Sequence, residues 1–185
     1  MVQENTKEGY ALKVRVKFAK EGAMKFIGHL DIMRYFQKAV KRANLDVAFS
    51  EGFSPHMIMS FASPLGVGIT STGEYFDMEL KSATTSSDMV KRLNDAMAEG
   101  MNILSIRQVE DGKASKAMSL VAAADYRLKF RETAKLPENW KEKLEEFKAQ
   151  KEIVILKKTK KSEKELDIRP FIYKLSLEEK DEIFM

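Results

Sequence analysis

The chain contains two histidines, His29 in the segment FIGHLDIMRYF and His56 in the segment SEGFSPHMIMSFASPLGVG. Each histidine is close in sequence to a carboxylate, His29 to Asp31 and His56 to Glu51. Two imidazoles and two carboxylates brought together could bind a metal ion or act as general acid and base. The same spacing fits another interpretation, in which His29 begins a helix and His56 lies in a loop. Neither histidine belongs to a compact metal-binding motif, which favours the interpretation as helix start and loop.

Other kinds of catalytic site have little support in the sequence. The absence of cysteine excludes disulfides, thiolate zinc sites, a cysteine nucleophile and any iron–sulfur cluster held by this chain. The serines near His56 are not part of a G-x-S-x-G nucleophile motif. The PLGVG segment lacks the third glycine and the Lys-Ser/Thr ending of a phosphate-binding loop. Enzymatic phosphoryl or acyl transfer therefore has little support.

Two clusters of basic residues could bind an anionic partner. The helix cluster lies on one side of a predicted helix and comprises Arg34, Lys38, Lys41 and Arg42. The hairpin cluster lies at a predicted turn and comprises Lys157, Lys158, Lys160, Lys161 and Lys164. The formal net charge is only +4, so anion binding would have to come from such local clusters. They are either solvated surfaces or contacts to RNA or an acidic partner.

Residues 1–110 are predicted to form an α+β unit. Alternating apolar residues predict strands, and apolar residues at helical spacing predict helices. The predicted strands lie in ALKVRVKF, NLDVAF, MIMSFA, EYFDMEL and NILSIRQV, and the predicted helices begin near Gly28 and in TSSDMVKRLNDAM. The residues predicted to be buried on the first helix are Leu30, Met33, Phe36, Val40 and Ala43. The order β-α-β-β-α-β favours a ferredoxin-like sandwich, with both helices on one face of an antiparallel sheet.

Charged residues on the outer face of this sheet are predicted to meet across neighbouring strands, since the first and third strands are adjacent in such a sandwich. The residues concerned are Lys13, Arg15 and Lys17 on the first strand and Asp77 and Glu79 on the third. Cross-strand pairs of opposite charge contribute about 0.2–1 kcal/mol each on a solvated face. The alternative is a surface that stacks RNA bases, but it needs exposed aromatic residues in mid-strand, and Tyr75 alone qualifies.

The C-terminal part of the chain is predicted to form a second unit. Residues 111–124 are predicted to contain a linker, and residues 125–185 a smaller α+β unit. Its predicted elements are strands in DYRLKF, EIVIL and DEIFM, a helix in LPENWKEKLEEFKAQ and a short helix in DIRPFIYKL. It is one strand short of repeating the first unit, which predicts an incomplete ferredoxin-like unit.

Several separated motifs follow one another in a recognisable order. They are F-x-G-H-L-D-x-x-R-x-F, A-x-x-R-A-x-L, S-E-G-F-S-P-H and S-F-A-x-P-L-G-V-G-x-x-S-x-x-E-Y-x-D, with SLVAAADYRL and KELDIRPFI further on. In these motifs the chain closely resembles a bacterial family of radical-SAM-linked proteins, a domain of unknown function. Members occur beside, or fused to, a B12-binding-type radical SAM protein. They usually have serine where this chain has Gly28, and they usually continue beyond this C-terminus.

The resemblance implies a radical SAM protein as the partner. Radical SAM chemistry needs a three-cysteine cluster motif, and this chain has no cysteine, so it cannot be the radical enzyme itself. We therefore predict a non-catalytic accessory module that recognises or presents substrate for that enzyme, with RNA as the leading candidate. Neither a cofactor nor a metal ion is predicted for this chain.

The predicted functional surface lies where the first helix meets the two loops. It comprises His29, Asp31, Arg34, Glu51, Phe53, His56 and Glu74. One alternative is an RNA- or nucleotide-modifying enzyme that uses His29, Asp31 and His56 for acid–base or metal chemistry, and another is a purely structural adaptor between proteins. The polar N-terminus resembles neither a signal peptide nor a membrane anchor, so a cytoplasmic location without membrane contact is expected.

Overall fold

A computed structural model of the chain describes residues 11–110, 116–159, 162–178 and 182–185. The chain divides into a first unit that ends at Ala122 and a second unit from Ala123 to Met185. This division falls inside the segment predicted to contain a linker, residues 111–124. Lys160 and Lys161 of the hairpin cluster lie outside the described residues.

Within its described residues, the first unit contains a four-stranded antiparallel sheet. Its strands are β1 (Leu12–Lys20), β2 (Met59–Phe61), β3 (Ser71–Leu80) and β4 (Met101–Gln108), in the spatial order β2-β3-β1-β4. The helices between them are α1 (His29–Arg42) and α2 (Ser86–Asp95), and a 3-10 turn, Gly22–Phe26, precedes α1. The α+β class is confirmed, and so is the pairing of the first and third strands. The finer ferredoxin-like assignment stays a prediction.

The core of the first unit is formed by one face of the sheet and by the two helices. Alternating residues on β1 and β3 point into it, as their period of two requires. These are Val14, Val16 and Phe18 on β1 and Phe76, Met78 and Leu80 on β3. Met89 and Leu93 of α2 belong to the same buried cluster.

Helix α1 buries a face that differs in part from the predicted one. Its buried residues are Ile32, Phe36, Ala39 and Val40. The prediction that Leu30 is buried is wrong, because this residue is 67% exposed. With 3.6 residues per turn, Leu30 lies about 160° around the helix from Ile32, on the solvent side. Neither α1 nor any other helix in the described part of the chain is both long enough and apolar enough to cross a membrane.

The segment NLDVAF was expected to be a strand, but it pairs only at isolated bridges, Val47 with Leu80 and Phe49 with Met57. The chain reverses directly after this segment, where Ser50 N–H donates to the carbonyl of His56 at 2.9 Å. Gly52 adopts a φ of +103° in this turn, a conformation that costs glycine little.

A short helix, α3 (Ala117–Leu120), covers part of the outer face of the sheet and contacts β2 and β3. Ala117 N–H donates to Asp77 Oδ2 at 2.8 Å. Arg15 donates to both carboxylate oxygens, Nε to Oδ1 at 2.8 Å and Nη2 to Oδ2 at 3.1 Å. The predicted pairing of Arg15 with Asp77 is thus confirmed. The prediction of a solvated face is wrong at this position, since Asp77 beneath α3 is only 4% exposed.

The second unit contains short strands and one longer helix. Its elements are β5 (Arg127–Leu128), α4 (Trp140–Ala149), β6 (Val154–Lys158), β7 (Glu163–Asp167), β8 (Ser176–Leu177) and β9 (Ile183–Phe184), with a 3-10 turn at Arg169–Phe171. Strands β5, β9 and β8 form one sheet, and β6 and β7 form a two-stranded ribbon. Strand β7 was not predicted, because its charged sequence EKELD lacks an apolar period. Ile153 is the one buried residue among those described in this unit.

Candidate functional site

A small cleft lies in the first unit where β1 ends, α1 begins and the loop after β2 passes. Its polar lining residues are Lys20, His29, Ser63 and Glu74, and its apolar lining residues are Phe18, Ile32, Phe61 and Leu65. Two residues of the predicted functional surface, His29 and Glu74, therefore lie in the same cleft. Lys20 and Ser63 were missed by the sequence analysis.

Lys20 is a buried cation in the lining of this cleft. The residue is 2% exposed, and its Nζ donates to the carbonyl of Ile27 at 2.8 Å. Burial lowers the pKa of Lys20, and the negative charge of Glu74 opposes this effect. A signal in the sequence could have identified this residue. The inward positions of β1 are Val14, Val16 and Phe18, and the next position at that spacing is Lys20.

His29 is the first residue of α1, and packing against the core holds its ring. The imidazole lies edge-on to Phe61, with ring centroids 5.5 Å apart and planes at 90°. Phe61 in turn contacts the rings of Phe18, Phe36 and Phe76. In the part of the chain that the structure describes, no hydrogen bond or ion pair engages the His29 side chain, so its ring nitrogens could bind a ligand.

Asp31 and Arg34 pair with each other and do not line the cleft. Arg34 Nη1 donates to Asp31 Oδ1 at 3.2 Å. The Arg34 side chain is 72% exposed and the Asp31 side chain 66%. An exposed pair on one helix contributes only about 0.3–0.5 kcal/mol. The described contacts therefore do not join Asp31 to His29 as a catalytic pair would require.

His56 closes the turn that begins at Ser50. Its Nδ1 lies 2.8 Å from Ser50 Oγ, and the same Oγ accepts the backbone N–H of His56 at 3.1 Å. Glu51 and Phe53 are exposed in this turn, Phe53 completely. Among the described residues, no hydrogen bond, ion pair or ring contact joins His56 to His29. The same residues include no group of three His, Asp or Glu side chains that could hold a metal ion.

The chain matches a family model over most of its length. The model is described as "Uncharacterized protein conserved in bacteria (DUF2344)" and matches residues 13–185. The chain belongs to this family. The match covers both units and includes every residue that lines the cleft. A search of curated proteins found no match.

In this DUF2344 protein the helix cluster is exposed but partly engaged within the chain. Arg42 Nη2 donates to the carbonyl of Ala96 at 2.7 Å, and Arg34 is in the ion pair already described. Lys38 and Lys41 have no ion pair with any described residue. As far as the described contacts extend, the cluster therefore offers two unpaired cations to a partner.

Three large apolar side chains on the segments that border the cleft are exposed, and we call them the apolar rim: Phe26 (65%), Leu30 (67%) and Val67 (63%). Backbone contacts hold the two segments together. Gly68 N–H donates to the carbonyl of Lys25 at 2.7 Å. Val67 Cγ2 lies 4.0 Å from the position that a Cβ would take on Gly28. Leu65 of the same loop and His29, the residue before Leu30, line the cleft, so the segments that carry the rim border the cleft.

The lowered pKa of Lys20 predicts a pH-dependent contribution to stability. The folded chain binds this proton less tightly than the unfolded chain, where the pKa has its ordinary value of 10.5. Folding therefore releases a proton between the two pKa values. The free energy of unfolding should rise with pH across that window, by about 1.4 kcal/mol for each unit of difference.

Urea unfolding from neutral pH to about pH 10 tests this prediction by comparison with Lys20→Met, in which the rise should be absent. Lys38→Met controls for the loss of one lysine. If wild type and Lys20→Met changed in parallel with pH, the burial of a protonatable Lys20 would be contradicted.

Proposed function

We propose that this chain is a non-catalytic binding module that works with a radical SAM protein, with RNA as the candidate substrate of the pair. The cleft and the apolar rim are its docking surface for that protein. The observation that carries the proposal is the exposure of Phe26, Leu30 and Val67 on the segments that border a cleft with a buried lysine.

An exposed apolar group of this kind favours a protein partner. Soluble proteins rarely expose contiguous large apolar side chains, and where they do, the patch is often an interaction site. Protein interfaces combine an apolar centre with a few polar groups that provide specificity. Here the rim supplies the apolar area, and the partly exposed His29 and Glu74 supply polar groups.

The roles of the remaining candidate residues favour binding over catalysis. His56 contacts Ser50 within its own turn, and Asp31 is occupied by Arg34. An acid–base mechanism that uses His29, Asp31 and His56 together would need contacts that the described residues do not make. The partner is suggested by the sequence resemblance, because a chain without cysteine needs another protein to supply radical chemistry.

Co-purification of the full chain with the B12-binding-type radical SAM protein that the resemblance implies as its partner tests the proposal. The triple variant Phe26→Ser, Leu30→Ser, Val67→Ser should weaken binding by at least about tenfold, because buried apolar anchors dominate interface energies. Leu104→Ser is the matched control, since Leu104 is also apolar and 47% exposed but lies on β4. It should bind as wild type does.

Two results would contradict the proposal. One is the absence of any complex between the wild-type chain and the radical SAM protein. The other is a folded triple variant, verified by circular dichroism, that binds with unchanged affinity. RNA is left out of this experiment, so the result concerns protein docking alone.

A further inference from the structure

The β6–β7 ribbon places two lysines directly opposite each other. Lys157 pairs in register with Lys164, and like charges opposite each other destabilise a ribbon. The neighbouring pair differs, because Lys158 forms an ion pair with Glu163 at 2.8 Å. Lys157 and Lys164 are exposed, and neither forms an ion pair with any described residue. A bound anion would relieve the repulsion between them.

A groove with further cations lies at the base of the same ribbon. Ile153, which precedes β6, and Arg169, which follows β7, both line it, together with Lys148, Lys174 and Tyr173. The guanidinium of Arg169 is held in place by two backbone carbonyls, those of Gln150 at 3.2 Å and Ile172 at 3.0 Å. The Tyr173 ring is left uncovered, since this residue is 78% exposed.

Exposed cations together with an exposed aromatic ring are the features by which proteins bind single-stranded nucleic acid. The cations contact the phosphates, and bases stack on the ring. Along β6, Lys157 is four residues from Ile153, or about 13 Å, so a strand of a few nucleotides reaches from the lysine pair to the groove. The carboxylates of an acidic peptide could pair with the two lysines, but they would not stack on the exposed Tyr173 ring.

We propose that the second unit binds single-stranded RNA, with backbone phosphates on Lys157 and Lys164 and a base stacked on Tyr173. This inference rests on the RNA part of the proposed function and assigns it a site. It is independent of the docking surface for the radical SAM protein, which lies in the first unit.

Fluorescence anisotropy with a labelled oligouridine of about 12 nucleotides, added to the full chain alone, tests the lysine pair. The variant Lys157→Gln, Lys164→Gln should bind more weakly than wild type. Its affinity should also depend less on salt, with the slope against log salt reduced by about 1.4 for two lost phosphate contacts. The variant Lys135→Gln, Lys143→Gln removes the same charge from two exposed positions outside the ribbon and the groove and should bind nearly as wild type does.

Because Lys157→Gln, Lys164→Gln removes a repulsion between like charges, we expect this variant to unfold at the same temperature as wild type or higher. A thermal unfolding curve that shows this excludes misfolding as the cause of its weaker binding. Tyr173→Ala should lose about tenfold in affinity, whereas Tyr173→Phe keeps the ring and should retain it. An oligodeoxyuridine of equal length differs from the RNA only in lacking the 2′-hydroxyls, so it shows whether the sugar is recognised. Tighter binding of the RNA, or equal binding of the two, supports the phosphate and base contacts, and tighter binding of the DNA contradicts the assignment to RNA.

Three further results would overturn the inference: no binding of wild type to either oligonucleotide, equal losses in the two double-lysine variants, or equal losses in Tyr173→Ala and Tyr173→Phe. Each of these leaves the co-purification experiment unaffected. The failure of the RNA site can therefore be distinguished from the failure of the proposed protein docking.

Discussion

The variant Asp77→Ala is expected to lower the free energy of unfolding by about 3 kcal/mol. The substitution removes the acceptor of two hydrogen bonds from Arg15 and of the N–H of Ala117. Both side chains of the ion pair are largely buried, at 5% exposure for Asp77 and 19% for Arg15. Water therefore replaces the lost bonds poorly. Without this anchor, α3 should also pack less firmly on the sheet.

Urea unfolding of Asp77→Ala measures the loss, and Glu79→Ala is the matched control. Glu79 is the next outward-facing residue of β3, opposite Lys13, and its removal should cost no more than about 1 kcal/mol. Limited proteolysis should cleave near α3 faster in Asp77→Ala than in the control. Equal stability of the two variants would show that the buried pair does not anchor α3.

A second test asks whether charge at this position is needed for stability. Replacing both partners with apolar residues, as in Arg15→Met with Asp77→Leu, should recover part of the lost free energy of unfolding. An apolar pair carries no charge that must be desolvated when the protein folds. A double variant that is as unstable as Asp77→Ala would indicate that the N–H of Ala117 contributes most of the effect.

Phe36→Ala is expected to cost about 3–5 kcal/mol, the usual range for removing a buried phenylalanine. Phe36 is completely buried. Its ring centroid lies 4.7 Å from those of Phe18 and Phe76 and 5.7 Å from that of Phe61. Because these three rings pack around the Phe36 ring, the shift of a single side chain cannot fill the cavity that the substitution leaves.

Phe53→Ala is the control for this prediction, since it makes the same chemical change on a fully exposed ring. Its effect should stay within about 0.5 kcal/mol. Urea unfolding of the two variants gives the comparison directly. A loss of similar size in both would contradict the assignment of Phe36 to the core. Because Phe53→Ala should leave stability unchanged, the same variant can also test whether Phe53, a residue of the predicted functional surface, contributes to partner binding.

Much of the first unit could be predicted because its patterns are local. The period of two in β1 and β3 identified the inward residues, and the order of elements predicted that these strands are neighbours. Together they predicted the pairing of Arg15 with Asp77 from the sequence alone. Of the residues expected on one functional surface, His29 and Glu74 line the same cleft, and the function of that surface stays a prediction. Strand β7 was not predicted, because its EKELD segment has no alternation of apolar and polar residues.

The sequence by itself determined the α+β class, the inward faces of the long strands, and the exclusion of cysteine chemistry. The tertiary structure alone decided which of these faces is covered. It buried Asp77 beneath α3, enclosed Lys20 in the cleft, left Leu30 exposed and kept His56 in its own turn. The physical reason is that side-chain alternation depends on neighbouring residues, whereas burial depends on segments that are distant in the chain.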